Sequence, residues 1–296
     1  MDESFGHIPL LDAIDLDILM HKDAHFGGNF SIMLEYYEND GIGVMPDFDI
    51  ERIEELHKIE HSLQTSLSEQ LLPLPAKQLV ERSKKTYEEL RAIYDQDVPS
   101  LAKAFSDLIL SEEEYPEKEI EAILQYQEQA FQPSVHLLNS SDYYDPLFPG
   151  YGRMPIFAAE ILQKLQDERA IPYLFAALGQ ENFFTDDAII HALISFKEKG
   201  KYFLLKRLTH EPFTKENMHA ITALTALEDD EEVAKVALMM LNHKALQDNE
   251  NFLRYLIFAC SGLKHEVDRM KFVDFQSSLK SKILQSECQV IIKNWM

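Results

Sequence analysis

Cysteine, glycine and proline are scarce in this chain of 296 residues, and long apolar runs are missing. The two cysteines, Cys260 and Cys288, stand alone in helical apolar patterns, so neither a disulfide framework nor a cysteine-based metal site is expected. Ten glycines and twelve prolines are few, which is typical of helices joined by short turns. No run of about 18 apolar residues occurs, so the sequence predicts no membrane span.

Sequence patterns that carry catalysis are also missing. No serine stands in a Gly-x-Ser-x-Gly elbow, no cysteine lies beside a histidine, and no loop has the pattern that cradles phosphates. The sequence therefore predicts no catalytic residue and no cofactor. Met1-Asp2-Glu3-Ser4 lacks the basic and apolar regions of a secretory signal. We expect a cytoplasmic protein, with secretion by a route that reads no N-terminal signal as the alternative.

Basic residues are scarce in the first half of the chain. Residues 1–152 hold 31 acids and 10 bases, a net charge of −21, whereas residues 153–296 hold 20 acids and 18 bases, a net charge of −2. An acidic surface repels nucleic acid and anionic membranes, so neither is an expected partner. A basic protein partner is compatible with this charge, and so is a role in solubility alone.

A repeated apolar pattern occupies the stretch from Met154 to Leu263. Apolar positions recur there at a constant period, since 190−159, 221−190 and 252−221 all equal 31. The repeated sets are Ala159, Ile190, Ile221 and Phe252; Leu162, Leu193, Leu224 and Tyr255; Leu165, Phe196, Leu227 and Phe258; Ile171, Tyr202 and Val233; and Leu174, Leu205 and Val236. Short steps within a unit suit two amphipathic helices. A fixed period of this size indicates stacked helical hairpins, because one hairpin cannot bury its apolar face alone.

Two segments of this stretch, residues 158–174 and 223–234, resemble short HEAT-like repeats of the kind named after phycobilisome lyases. Each has an alanine-rich first helix, an acidic turn and a second helix that opens with an apolar pair. Lys197-Glu198-Lys199-Gly200 departs from this pattern, because a basic turn replaces the acidic one. The resemblance implies an all-α fold: a right-handed α-solenoid of HEAT-like hairpins with an N-terminal helical extension and a C-terminal capping helix. It says little about activity, since similar units occur in scaffolds, lyases and hydroxylases.

The pattern divides the chain into four regions. Residues 1–138 form an acidic helical region, either of diverged hairpins or of a separate bundle. Residues 139–153 are a connecting loop rich in tyrosine, proline and glycine. Residues 154–263 are the repeats, and residues 264–296 are a C-terminal cap, in which Trp295 is expected to dock on the last repeat.

Two groups of residues are candidates for binding a protein or peptide partner. The second helices are expected to line the concave face, where the basic residues are Arg169, Lys201, Lys206, Arg207 and Lys235. These residues either form a stripe for an acidic or phosphorylated peptide or pair with neighbouring acids. The second group is Tyr143, Tyr144 and Tyr151 of the loop, which either join this surface or fold back onto the helices.

Two pairs of histidines are weak candidates for metal binding. His21 and His25 form one pair, and His57 and His61 form the other, on a helix predicted from Ile50 to about Leu72. Histidines one turn apart on a helix share one face, which is the spacing a metal site needs. The alternative is that both pairs lie on solvated faces, and we predict no bound metal.

The sequence favours a non-catalytic scaffold for protein–protein interaction. The alternative is a metal-dependent or tetrapyrrole-handling enzyme of the lyase or hydroxylase type, which the HEAT-like resemblance allows. A third hypothesis is a secreted effector that scaffolds a foreign partner. The sequence makes no prediction of the oligomeric state.

Overall fold

The protein is helical throughout the part that the computed structural model describes, which comprises residues 12–39, 45–180 and 182–295. These residues form seventeen α-helices and four short 3-10 segments, with no strand among them. The predicted all-α class is confirmed. No helix among these residues is long and apolar enough to cross a membrane. The chain forms two compact units, Met1–Phe157 and Ala158–Met296, which we describe separately.

The first unit contains eight short to medium helices and the start of a ninth. They are α1 (Ala13–His25), α2 (Phe30–Glu38), α3 (Ile50–Leu63), α4 (Leu67–Leu71), α5 (Leu74–Tyr94), α6 (Leu101–Ile109), α7 (Glu117–Leu124), α8 (Phe131–Asn139) and α9 (Met154–Leu165), most of which belongs to the second unit. Several begin where an Asp, Asn or Ser side chain accepts a hydrogen bond from the first turn, as Asp12, Asn29 and Asp49 do. Local sequence therefore sets these helix starts.

The predicted single helix from Ile50 to Leu72 is wrong, because the chain breaks between α3 and α4. Gln64 ends α3 in the left-handed conformation, with φ of 50°. Ser66 then caps α4, and the Glu60 side chain accepts a hydrogen bond of 2.8 Å from the Leu67 amide. Two side chains thus satisfy the amides of a new helix start, which the apolar periodicity alone does not reveal.

The core of the first unit mixes apolar and charged side chains. Apolar residues of α1, α2 and α3 form its main cluster, including Ile18, Met33 and Leu56, each fully buried. The Lys22 side chain on α1 is also fully buried. α1 packs on α4 and α5, α2 packs on α3, and α6 packs on α5 and α7.

The predicted loop folds back onto this unit. Leu147 and Phe148 are buried against Val80 of α5. The Leu147 carbonyl accepts hydrogen bonds from His25 Nε2 at 3.0 Å and from Ser83 Oγ at 2.6 Å. Residues of α1 and α5 therefore hold the backbone of this segment.

The second unit continues from α9 through eight further helices. They are α10 (Ala170–Ala176), α11 (Phe183–Ser195), α12 (Glu198–Leu208), α13 (Lys215–Leu224), α14 (Glu231–Leu241), α15 (Glu250–Ala259), α16 (Glu266–Ser278) and α17 (Lys282–Asn294). Helices pack on the next helix and on the next but one, as α11 does on α12 and α13. Trp295 donates a hydrogen bond of 2.9 Å to the Ser261 carbonyl, directly after α15, in agreement with its predicted docking.

The repeated core positions keep the predicted period through α13 and then depart from it at α15. Three sets of equivalent positions in α9, α11, α13 and α15 are at most 2% exposed. They are Ala158, Ile189, Ala220 and Leu253; Ile161, Ala192, Ala223 and Leu256; and Leu162, Leu193, Leu224 and Ile257. In each set the last step is two positions longer than the steps before it. The extra two positions arise in the longer turn from α13 to α14, residues 225–230, because the core of α14 is already shifted: 237−204 and 241−208 both equal 33 for the buried pairs Leu204 and Ala237, and Leu208 and Leu241. The connection from α14 to α15 adds nothing, since 220−208 and 253−241 both equal 12.

Seven residues that the constant period predicts as core are exposed or half-buried, namely Leu165, Ile190, Tyr202, Leu227, Val236, Tyr255 and Phe258. Phe258 is 48% exposed and Tyr255 is half-buried, because Leu256 and Ile257 take the core positions of α15. On α12, Tyr202 is 70% exposed, and Leu204 fills the position equivalent to Leu174, one position earlier than the constant period predicts. These exposed aromatics lie on the surface of the second unit.

Candidate peptide-binding surface

Two of the five predicted basic residues pair with acids of their own helix or turn. Arg169 Nε lies 3.0 Å from Asp167 Oδ1, and side-chain hydrogen bonding with Arg169 lowers the pKa of Asp167. Lys235 Nζ lies 2.6 Å from Glu231 Oε1, one helical turn away. Both cations are compensated locally, so each contributes little free charge to a binding surface.

Lys201 is enclosed by three carboxylates. Its ammonium lies 2.9 Å from Glu198, 3.1 Å from Glu232 and 3.2 Å from Asp230, and its side chain is 10% exposed. Hydrogen bonding to Glu198 is the largest of the effects that raise the pKa of Lys201. Of the two alternatives for Lys201, the structure has the pairing with neighbouring acids, so this cation neutralises carboxylates of the second unit itself.

Consecutive turns of the second unit alternate in charge, and this alternation explains the basic turn. Lys199, in the first turn of α12, pairs with Glu168 of the preceding turn between helices. Lys201, at the start of α12, pairs with Asp230 and Glu232 of the following acidic turn. His265 Nε2 then lies 2.9 Å from Glu231. A basic turn between two acidic turns forms ion pairs on both sides, whereas three acidic turns in a row would repel one another.

Lys206 and Arg207 lie at a small cavity near the C-terminal end of α12, which we call the cationic pocket. Its volume is about 260 Å³, and Phe203, Lys206, Arg207 and His210 line it. Lys206 is exposed and makes no ion pair within the described residues. The structure thus brings two of the five predicted basic residues together at one concave site.

Aromatic rings support the guanidinium of Arg207 in this pocket. Arg207 Cζ lies 5.2 Å from the Phe203 ring centroid and 5.7 Å from that of Phe175, and these two rings pack edge to face. One nitrogen of Arg207 also lies 3.2 Å from Glu216 Oε2. Because Glu216 is exposed and Arg207 is only half-buried, an incoming anion can compete with Glu216 for the guanidinium.

Phe203 and His210 were not among the predicted binding residues. Positions 203, 206, 207 and 210 follow the spacing that defines one helical face. The same periodicity that identified the apolar core therefore holds a signal for the pocket. The predicted binding residues on this helix were chosen for their positive charge alone, and Phe203 and His210 were omitted for that reason.

The loop tyrosines are packed rather than free. Tyr151 is 7% exposed and its ring lies 5.6 Å from that of His25. The Tyr144 hydroxyl donates a hydrogen bond of 2.8 Å to the Leu138 carbonyl, and the half-buried Tyr143 packs edge to face against His136. Burial raises the pKa of Tyr143 and Tyr151. Of the two alternatives for these aromatics, the structure has the folded-back arrangement, and Tyr151 offers no binding surface.

The histidine pairs lie in different environments. His21 and His25 are held side by side on α1 with ring centroids 5.6 Å apart, and burial lowers the pKa of both, that of His25 to about 4. His57 stacks on Phe30 at 5.8 Å, and His61 is exposed. Among the described residues, no group of three or more His, Cys, Asp or Glu side chains is arranged to hold a metal ion.

No model of a known protein family matches the chain, and neither a curated protein nor a solved structure is significantly similar to it. What the second unit binds is therefore inferred from geometry and charge. The cationic pocket combines an aromatic wall, a guanidinium, an ammonium and an imidazole. Donors of this kind suit a carboxylate or a phosphate presented by a partner.

Proposed function

We propose that this protein is a non-catalytic scaffold that binds a polypeptide partner through HEAT-like hairpins of its second unit. In this proposal the cationic pocket receives an acidic or phosphorylated side chain of the partner. The observation that carries the proposal is the convergence of Lys206 and Arg207 on one cavity, with Phe203 and His210 beside them. The other three basic candidates are compensated by neighbouring acids.

The chemistry of the pocket favours an anion over other ligands. A guanidinium held against an aromatic face keeps its outer N–H donors in a fixed plane, which matches the two oxygens of a carboxylate or phosphate. The ammonium of Lys206 adds a second donor on the same helical face. The C-terminal end of α12 carries partial negative charge, which stabilises these cations without consuming their outer donors.

Glu216 is the built-in competitor for the anion. Because its carboxylate lies 3.2 Å from Arg207, a partner must displace it to reach the guanidinium fully. Removing the charge with Glu216→Gln should therefore strengthen binding, whereas reversing the charges with Lys206→Glu and Arg207→Glu should abolish it. Opposite effects from neighbouring substitutions would identify the pocket as the binding site.

Degenerate peptide pools provide the test. Fluorescein-labelled pools with glutamate, phosphotyrosine or glutamine fixed at the centre would be titrated with the full chain and followed by fluorescence anisotropy. We expect the glutamate and phosphotyrosine pools to bind at least tenfold more tightly than the glutamine pool, a difference of about 1.4 kcal/mol. We expect K206E/R207E to remove that preference and Glu216→Gln to increase it.

A matched double variant separates the pocket from the overall charge of the protein. Lys235→Glu with Lys271→Glu makes the same change in net charge at two exposed lysines that already pair with neighbouring acids. Equal losses from both double variants would refute the pocket as the site.

Elemental analysis of the purified protein tests the alternative hypothesis of a metal-dependent enzyme. One equivalent of zinc or iron that is lost in the His57→Ala/His61→Ala variant would refute the scaffold proposal in favour of that alternative.

A further inference from the structure

A second cavity of the second unit crosses three consecutive first helices, and we call it the first-helix groove. Its volume is about 320 Å³. Ile190 of α11, Thr222 of α13 and Tyr255 of α15 each contribute to its lining, and Leu178 closes one side. All the helices that form it belong to one compact unit. The groove is separate from the cationic pocket, with which it shares no lining residue.

The two-position shift in the register of α15 places Tyr255 at the apolar end of this groove. In the shifted register of α15, Tyr255 occupies the half-exposed position that Thr222 occupies on α13. The same position is His191 on α11, one repeat before Thr222. At this equivalent position, the tyrosine ring of α15 therefore follows a histidine on α11 and a threonine on α13. An apolar side chain of a partner can lie between this ring and Ile190.

The opposite end of the groove is negatively charged. Asp186 and Asp187 line it, and within the described residues neither pairs with a lysine or an arginine. Asp186 Oδ1 accepts a hydrogen bond of 2.9 Å from the Gly179 amide, whereas Asp187 is mostly exposed and lies 3.7 Å from His191 Nε2. The N-terminal end of α11 carries about half a positive charge, which does not offset two carboxylates.

His219 shapes the mouth between these ends. Gly179 has a φ of +82°, and a Cβ at this position would lie 2.5 Å from the His219 ring. The close approach of this imidazole to the turn keeps the Leu178 wall beside α13. The groove is thus an apolar slot with a carboxylate pair at one end, and its volume suits one or two side chains of an extended segment.

We propose that the first-helix groove binds a segment of a partner polypeptide that carries an aliphatic side chain next to a lysine or arginine. The aliphatic side chain lies between Ile190 and Tyr255, and the cation meets Asp186 and Asp187. Charge complementarity selects this occupant, because an acidic neighbour would be repelled by two carboxylates that no lysine or arginine of the described residues neutralises. This proposal does not depend on peptide binding at the cationic pocket. It is tested by NMR shifts at Ile190 and Thr222, which do not line that pocket.

Two dipeptide probes test the assignment on the full chain. Acetyl-leucyl-arginine amide and acetyl-leucyl-glutamine amide would be titrated into protein labelled at isoleucine and threonine methyl groups and followed by NMR. We expect saturable shifts at Ile190 and Thr222 with both probes, and at least threefold tighter binding of the arginine probe. Asp186→Asn with Asp187→Asn should abolish that preference and leave the glutamine probe unchanged.

Two further variants serve as controls. Asp248→Asn removes a carboxylate from an exposed position outside the groove, so it should preserve the preference. Thr222→Phe fills the slot and should abolish the shifts at Ile190, with circular dichroism used to verify that the helices are intact. Equal affinity for the two probes in the unmodified protein would overturn the proposal. Shifts at Ile190 and Thr222 that depend on protein concentration without probe would assign the groove to a second copy of the chain and overturn it as well.

Discussion

The two units differ in net charge and in where their charged groups are paired. The first unit, residues 1–157, holds 31 acids and 11 bases, a net charge of −20, and it buries some of its charged groups. Lys22 is fully buried, with its ammonium 2.8 Å from Glu60 and 4.6 Å from the Phe30 ring centroid. The second unit, residues 158–296, holds 20 acids and 17 bases, a net charge of −3, and it pairs many of its charges at the turns between helices.

The two units also differ in the side chains that build their cores. In the second unit, alanine, leucine and isoleucine recur at equivalent positions, so each helix buries an apolar face of the same kind. In the first unit, individual polar side chains complete the core, as Lys22, His21 and Asp15 do. A buried charge is costly without its partner, so the first unit should be more sensitive to the loss of single polar groups.

The largest expected effect is the removal of the partner of the buried lysine. Glu60→Ala leaves the Lys22 ammonium in the core without its main counter-ion and removes the acceptor of the Leu67 amide. We expect a loss of about 3–5 kcal/mol in the free energy of unfolding, measured by urea denaturation. Glu54→Ala, which breaks an exposed pair with Lys58, should change nothing measurable. Equal stabilities of the two variants would contradict the role of the buried pair.

Adjacent residues of α15 test the register of the repeated core. Ile257 is fully buried and Phe258 is 48% exposed, although the constant period predicts Phe258 as core. Ile257→Ala should therefore cost about 2–5 kcal/mol because it opens a cavity. Phe258→Ala should cost about 1 kcal/mol or less, since about half of this residue is already in contact with water. Thermal or urea unfolding measures both losses. A larger loss for Phe258→Ala than for Ile257→Ala would contradict the shifted register and favour the constant period.

The buried histidines make the first unit sensitive to acid. The pKa of His25 is lowered to about 4, chiefly by burial, while the unfolded chain binds the proton near pH 6.5. Its contribution to stability is therefore present above pH 6.5 and is lost as the pH falls toward 4. Between about pH 7.5 and 5, the loss from His25 should be about 2 kcal/mol. His25→Gln, compared with the unmodified protein at both pH values, should remove this part of the pH dependence, and an unchanged dependence would refute it.

The smallest expected effect concerns the charged turns of the second unit. Lys201→Met leaves Glu198, Asp230 and Glu232 without their common cation. We expect a loss of about 1 kcal/mol, because two of the three carboxylates are largely exposed and water screens their repulsion. The loss should shrink in about 1 M salt, where the screening length falls to about 3 Å. Lys235→Met, which breaks a pair within one helix, is the control and should be neutral.

Much of the second unit could be predicted from residue spacing. The positions of Leu162, Leu193 and Leu224 follow the constant period and are all fully buried, because neighbouring hairpins pack in the same way. The shift of α15 could not be predicted, since the longer turn between α13 and α14 has no apolar signature of its own. Its consequence is specific: Ile257 is core, and Tyr255 lines the groove.

The candidate site was predicted in part. Lys206 and Arg207 were identified from their basic character, and the structure brings them together with Phe203 and His210. Lys201 has the same charge and lies on the same helix, yet three carboxylates enclose it. Two of those carboxylates belong to the next repeat and are distant in the sequence, so only the stacking of the turns reveals the pairing.

The sequence by itself determined the helical class, many helix starts and the approximate length of the repeat. These properties depend on local hydrogen bonding and on apolar spacing within one or two turns of helix. The tertiary structure decided which charges are buried, which are paired and which remain free, as for Lys22, Lys201 and Lys206. The physical reason is that the energy of a charge depends on its distance from other charges and from water, and residues far apart in the sequence set both distances.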